Sequence, residues 1–307
     1  MPMYYFIVNP VSSSGKGLRL WQEAREILDD GNVEYESFIL EGPGEAAELA
    51  RFLSLNRTPC TIVVVGGDGT INEFLSGLVT CQGITFGYIP TGSGNDFARG
   101  MRLPSRLEDI MAMILSPSKF RNINIGVTSS GGQKKYFAVS SGMGYDAAVC
   151  YESYRSPAKY LLNKLHAGKL IYLLNALKLL VSIRPFSIRL IMDDQKLHTY
   201  QNVYFAAAMN TRYEGGGFMF CPKASPVDNY LDLIVVEGLS KWKTLLILPT
   251  AFKGKHVKFQ GIHIFRCRRA VIQSDREVCV HIDGEHFGFC KKVSFGLLKE
   301  KLRVIAG

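Results

Sequence analysis

Val63-Val64-Val65-Gly66-Gly67-Asp68-Gly69-Thr70-Ile71-Asn72-Glu73 decides the fold. With Ile62, the valines make a run of β-branched residues that reads as a fully buried strand. Three glycines in four positions follow, interrupted only by Asp68. Lacking side chains, they let backbone N–H groups approach an anion closely. Ile71, Phe74, Leu75 and Leu78 then recur on one helical face. A strand, a glycine turn and a helix N-terminus together make an anion site, because the first-turn N–H groups have no helical partner. The charge of Asp68 would repel a bare phosphate, so its presence points to work through a metal or to taking a proton.

Working outward, Tyr4–Val8 reads as a strand ending at Asn9-Pro10. The loop Val11-Ser12-Ser13-Ser14-Gly15-Lys16-Gly17 follows, then a helix over Leu18–Leu28. It is not a Walker A loop, since GxxxxGK[ST] is absent. A strand over Glu34–Leu40 and a helix over Glu45–Leu55 complete a βαβαβ pattern. That pattern implies a mostly parallel sheet, with ligands at the carboxyl ends of its strands. A further strand, Ile84–Ile89, ends in Pro90-Thr91-Gly92-Ser93-Gly94-Asn95-Asp96. Glycine-rich turns thus stand at three strand ends of the first half.

Leu107–Leu115 reads as a helix and Phe120–Val127 as a strand, with a hairpin turn at Ser129–Lys135. Strands then dominate: Tyr136–Ser140, Ser187–Met192, Val203–Met209, Leu231–Val236, Ala270–Ser274 and Val278–Ile282. Val278, Val280 and Ile282 alternate on one face, which puts His281 and Asp283 on the other. Gly284 turns the chain and Glu285 follows.

A chain of 307 residues favours two domains, and 47% hydrophobic with 21% charged residues is a globular composition. Internal repeats and low-complexity tracts are absent. Seven cysteines without CxxC spacing suit reduced thiols in a cytoplasmic protein. No window reaches the roughly 18 apolar residues of a membrane span, and the N-terminus reads as a strand, not a signal peptide. The net charge of +9 favours acidic partners. Basic residues without acids run from Arg155 to Arg189, around an amphipathic pattern in Pro157–Arg184, and again through Gly238–Ser274. Both suit an anionic membrane face or a solvated edge of a core helix. Neither matches a nucleic-acid-binding pattern.

GGDGTxNE at Gly66–Glu73 resembles the signature of the diacylglycerol kinase catalytic family, which includes bacterial soluble lipid kinases and sphingosine kinases. The resemblance implies an N-terminal α/β nucleotide-binding domain over 1–126 and a C-terminal β-sandwich over 127–307. The last strand, Lys301–Ala306, is expected back in the first domain, and the active site in the interdomain cleft. It also implies ATP and Mg2+, and transfer of the γ-phosphate to the hydroxyl of a diacylglycerol-like lipid. The expected nucleotide residues are Asn9, Pro10, Ser14, Gly15, Lys16, Gly66, Gly67, Asp68, Gly69, Thr70, Asn72, Glu73, Thr91, Gly92, Ser93 and Asn95.

Gly215-Gly216-Gly217 and Cys221–Leu233 resemble the segment in which an aspartate and two carbonyls hold a structural Mg2+. Here these are Asp228, with the carbonyls of Ser225 and Tyr230. Asp283-Gly284-Glu285 resembles the DGE motif, which makes Glu285 the expected proton acceptor and, with Asp68, a catalytic candidate. Two departures stand out. Asn229 occupies a usual glycine position, and Asn124 a usual aspartate, which bears on the metal–water network near the phosphates.

The expected partners are ATP and a lipid substrate at an anionic membrane surface, without nucleic acid. The expected location is the cytoplasm, peripheral at the inner membrane face, and a homodimer is allowed. Other readings are a kinase for a sphingoid or polyprenyl alcohol or for NAD, or a non-catalytic nucleotide-responsive membrane-binding protein. The NAD reading leaves the Asp228 and Glu285 regions without a use.

Overall fold

The structure, a computed structural model, describes residues 3–155, 178–195 and 197–307. The amphipathic pattern in Pro157–Arg184 lies mostly outside the described residues. The chain divides into two compact units, Met1–Ile125 with Lys299–Gly307, and Gly126–Leu298.

In the first unit, β1 (Tyr4–Val8) pairs in parallel with β2 (Tyr35–Ile39) on one side and β3 (Cys60–Gly66) on the other. β3 pairs in parallel with β4 (Ile84–Pro90). Both β1 and β3 are buried along their whole length, which is why their sequences are continuous apolar runs. Helices α1 (Lys16–Asp30) and α5 (Leu107–Leu115) contribute Trp21, Ala24, Leu28, Ile110 and Ile114 to a core with Phe6, Val8, Val63 and Val65.

Helices α2 (Glu45–Asn56) and α3 (Asp68–Gly77) pack against each other, and Phe74 of α3 stacks on Phe86 with ring centroids 5.1 Å apart. The short helix α4 (Asp96–Met101) adds Phe97, edge-on to Tyr88. The chain's end returns here: Arg303 and Val304, late in the long strand β13 (Glu285–Ile305), pair in parallel with Thr85 and Phe86 of β4. The Glu300 carboxylate fixes the return by accepting the Cys81 N–H at 2.7 Å and the Thr80 hydroxyl at 3.1 Å.

The second unit is antiparallel. Its strands are the end of β5 (Phe120–Ser130), β6 (Gln133–Phe137), β7 (Ser140–Gly144), β8 (Phe186–Met192), β9 (His198–Met209), β10 (Leu231–Glu237), β11 (Ile262–Cys267), β12 (Ala270–Ile282) and the start of β13. β9 and β12 each divide one edge between two partners: one part pairs with β8 and another with β7, while β10 and β13 take their other edges. The register of β12 shifts between Gln273 and Val278, which merges two expected strands into one bent strand.

Another expected strand, Tyr136–Ser140, is instead broken between β6 and β7. The physical reason is that the Asp283 carboxylate captures the N–H groups of Ala138, Val139 and Ser140, at 2.9, 2.8 and 3.0 Å. Helices α6 (Tyr145–Arg155) and α7 (Lys241–Ile247) complete the unit.

Candidate active site

In the first unit three strand-end turns are tied together. The Asn9 amide donates to the Thr70 hydroxyl at 3.0 Å, which joins the end of β1 to the start of α3. The Ser12 hydroxyl bonds the Thr91 hydroxyl at 2.6 Å, and the Thr91 N–H donates to the Gly66 carbonyl at 2.8 Å. Gly67 and Gly92 pass so closely that a Cβ on Gly92 would lie 2.9 Å from the Gly67 Cα and 2.8 Å from Asn95 Oδ1. A Cβ on Gly17 would lie 2.0 Å from the Asn9 carbonyl oxygen, so the serine-glycine loop folds back on the end of β1. The glycines are therefore required first by loop-on-loop packing.

Asp68, the first residue of α3, accepts the Asp96 N–H at 2.9 Å and the Phe97 N–H at 3.2 Å. Its carboxylate thus caps the N-terminus of α4 from another loop, where negative charge is favourable. Beneath, the Tyr88 hydroxyl donates to the Gly66 carbonyl at 3.1 Å. Burial, with the charges of Asp68 and Asp96, holds the Tyr88 phenol well above its usual range and keeps it a donor.

Pro10 lies half-buried at the start of the first loop, Ser14 and Gly15 are exposed on it, and Lys16 opens α1. Gly69 stands in the first turn of α3, and Ser93 is exposed on the third loop. Asn72 is buried and Glu73 half-buried further along α3. Asn124 is buried on β5, where an ionised aspartate would need a cation or a partner. Ser12 stands outside the expected set, since a serine in a serine-rich loop carries no signal of its long-range partner Thr91.

The second unit carries the other candidates. Asp228 Oδ1 accepts the Tyr230 N–H at 3.0 Å, and Oδ2 pairs with Arg266 at 2.9 Å. The Arg266 guanidinium also lies over the Tyr230 ring, 4.5 Å from its centroid. Nearby Asp232 is raised to about 6 by burial and by the charge of Asp228, against Arg266 and Lys223. As seated, Ser225, Asp228 and Tyr230 do not fit a divalent cation, because Arg266 occupies the carboxylate edge it would need. Asn229 has φ 66°, a left-handed conformation asparagine tolerates better than most residues, which accounts for it in a usual glycine position.

Asp283 and Gly284 have φ 49° and 85° and form a two-residue hairpin turn between Ile282 and Glu285, which pair. Glu285 is exposed as the first residue of β13. His281 lies on the strand face opposite Val280 and Ile282, and that face is buried too. Its Nδ1 accepts the Gly284 N–H at 3.2 Å. Its Nε2 faces Asp146 Oδ2 at 3.2 Å and Glu214 Oε1 at 3.3 Å. Glu214 is aimed inward by a loop whose ends bond each other, Glu214 to Phe218, around three glycines with φ 64°, 82° and 119°. A Cβ on Gly142 would approach Asp146 Oδ2 to 2.3 Å, so this cluster also requires its glycine.

Among the described residues, Asp146, Glu214 and His281 are the three-residue group whose ligand atoms lie close enough for a metal, within 4.8 Å. A histidine bound through Nε2 keeps its proton on Nδ1 and donates it, whereas here Nδ1 accepts. The cluster fits a shared proton better. Burial lowers the His281 pKa, and the two carboxylates outweigh it and push it up to about 10. Burial raises Asp146. With the Gly284 N–H aimed at Nδ1, the Nε2 proton faces both carboxylates, and His281 bridges Asp146 and Glu214. His281→Ala would leave two buried carboxylates without their donor. It is expected to lower the unfolding free energy by about 3–5 kcal/mol in a urea titration.

The diacylglycerol kinase catalytic domain matches residues 3–127, and the YegS C-terminal NAD kinase beta sandwich-like domain matches residues 139–306. The chain belongs to the diacylglycerol kinase catalytic family. Its two-domain α/β and β-sandwich architecture is that of this family, and it is a lipid kinase of that kind. "Putative lipid kinase YtlR" of Bacillus subtilis (strain 168) is 29% identical over 299 residues, covering 94% of each chain. A diacylglycerol kinase of Mycobacterium tuberculosis is 28% identical over 283 residues, covering 91% of this chain and 87% of that one. A diacylglycerol kinase structure from Bacillus anthracis str. Sterne superposes with TM-score 0.70 at 18% identity, over 100% of this chain and 97% of that one.

Proposed function

We propose that this family member transfers the γ-phosphate of ATP, entering as its magnesium complex, to the hydroxyl of a diacylglycerol-like lipid at an anionic membrane surface. One observation carries the reading: the turns at Asn9, Gly66 and Thr91 are bonded into one glycine-lined locus, with Asp68 aligning it. Phosphoryl transfer is mainly positioning and electrostatic stabilisation, and a rigid ring of small residues at strand ends suits phosphates. On this reading the nucleotide contacts come from Asn9 to Lys16, Gly66 to Glu73 and Thr91 to Asn95, and Glu285 receives the proton of the lipid hydroxyl. No described helix is long and apolar enough to cross a membrane. On this reading the lipid is met at the membrane surface. The protein then works in the cytoplasm at the inner membrane face.

The test is transfer of radiolabelled γ-phosphate to diacylglycerol, sphingosine and polyprenol in mixed micelles, and to NAD, with and without magnesium. Magnesium-dependent label in diacylglycerol is expected. Label in NAD alone, or none from folded protein, overturns the reading.

A further inference from the structure

Helix α7 and the 3₁₀ turns after it, Leu248–Lys253 and Lys255–Lys258, are firmly held yet expose large apolar side chains. The Ser240 hydroxyl caps α7 by accepting the Lys243 N–H at 3.2 Å, and Ile247 is buried in a core with Phe205 and Ile234. His256 is buried and bonds the Phe220 carbonyl at 3.0 Å. Gly254 sits so tightly that a Cβ would lie 2.6 Å from Pro222. Against that anchored inner side, Trp242 is 78% exposed and Leu246 77%. Their four-residue spacing puts both on one face of α7.

Phe252, 51% exposed, is stacked on Phe218 with centroids 4.1 Å apart. Val181, 72% exposed, lies alongside, since the Lys241 ammonium bonds its carbonyl. Lys241, Lys243, Lys253, Lys255 and Lys258 are exposed among these side chains, and Gly238–Ser274 contains no acid.

We infer that the Lys241–Lys258 segment is a membrane-docking surface, with Trp242 and Leu246 entering the interface of an anionic lipid leaflet and the lysines meeting its headgroups. The charge pattern selects this occupant. A protein partner of ordinary composition would leave many of these lysines without counter-charge, whereas an anionic leaflet supplies it throughout. Tryptophan and leucine beside lysine are the side chains that partition at a bilayer surface. The inference deepens the lipid-kinase reading by naming the surface that meets the substrate's membrane, yet docking itself needs neither ATP nor turnover.

Tryptophan fluorescence reads it directly, because the chain has only two tryptophans and the other, Trp21, is 4% exposed. The full-length protein is titrated with phosphatidylglycerol–phosphatidylcholine vesicles lacking diacylglycerol and nucleotide, with and without bromine-labelled acyl chains. A blue shift and bromine quenching are expected. Trp242→Ser with Leu246→Ser should weaken vesicle partitioning by on the order of tenfold or more. Each of Lys253, Lys255 and Lys258 changed to glutamine should weaken it about fivefold at low salt. Wild-type protein that sediments with vesicles while Trp242 stays unquenched, or that does not bind, overturns the proposal. So does concentration-dependent dimerisation abolished by the double variant, since a second copy would then cover this face. Docking without phosphate transfer overturns only the kinase reading, and transfer without docking only this one.

Discussion

Asp68→Ala is expected to remove nearly all phosphoryl transfer while the protein stays folded. The carboxylate bonds two backbone amides, Asp96 N–H and Phe97 N–H, and so holds the third glycine turn against the second. Alanine leaves both amides without a charged acceptor, at about 1–3 kcal/mol each if they stay dry. The apolar core of the first unit, from Phe6 to Ile305, contains no part of this arrangement, so the sheet survives. What fails is the alignment of Gly67 and Gly92, whose contact leaves no room for a Cβ on Gly92. A displacement of about 1 Å in such a ring is enough to cost on the order of 10²-fold. Urea unfolding and γ-phosphate transfer measured on the same preparation separate the two effects. Folded Asp68→Ala protein with wild-type turnover would remove the basis for placing the nucleotide here.

The order of elements in the first unit was legible because each signal is local. Continuous apolar runs mark buried parallel strands, and a glycine turn followed by a 3.6-residue period marks the β3–α3 junction. The bonding of Asp68 is less legible. A carboxylate among glycines suggested a metal or a proton, and its bonds to amides Asp96 and Phe97 come from a partner 28 residues away, which no spacing announces. In the second unit the alternation around Val280 correctly separated His281 from the apolar face. That face is nevertheless buried, because Asp146 and Glu214 from distant elements supply it with carboxylates. Helix α7 is not legible for the opposite reason, since Trp242 and Leu246 belong to a face that no core explains.

Glu285→Gln is the second large expectation. A lipid hydroxyl is a very weak acid, so its proton must leave as the phosphorus–oxygen bond forms, and in a loose transition state it need not ionise beforehand. A positioned carboxylate then contributes on the order of 10²–10⁴-fold. The turn that carries Glu285 is fixed from two sides. The Asp283 carboxylate takes the amides of Ala138, Val139 and Ser140, and His281 Nδ1 takes the amide of Gly284. The side chain beyond them is exposed, on a strand that cannot shift register without breaking those bonds. Glutamine keeps the shape and removes the basicity, so kcat should fall by that factor with ATP affinity and unfolding free energy nearly unchanged. Asp283→Asn should do the reverse. It loses charged acceptance of the amides, lowering stability by about 1–3 kcal/mol, and slows transfer less. Steady-state kinetics and urea titration on both variants decide the matter. If Asp283→Asn abolishes transfer while Glu285→Gln is nearly silent, the proton goes to the other carboxylate, and the bonds of Asp283 to the β6–β7 connection must open during turnover.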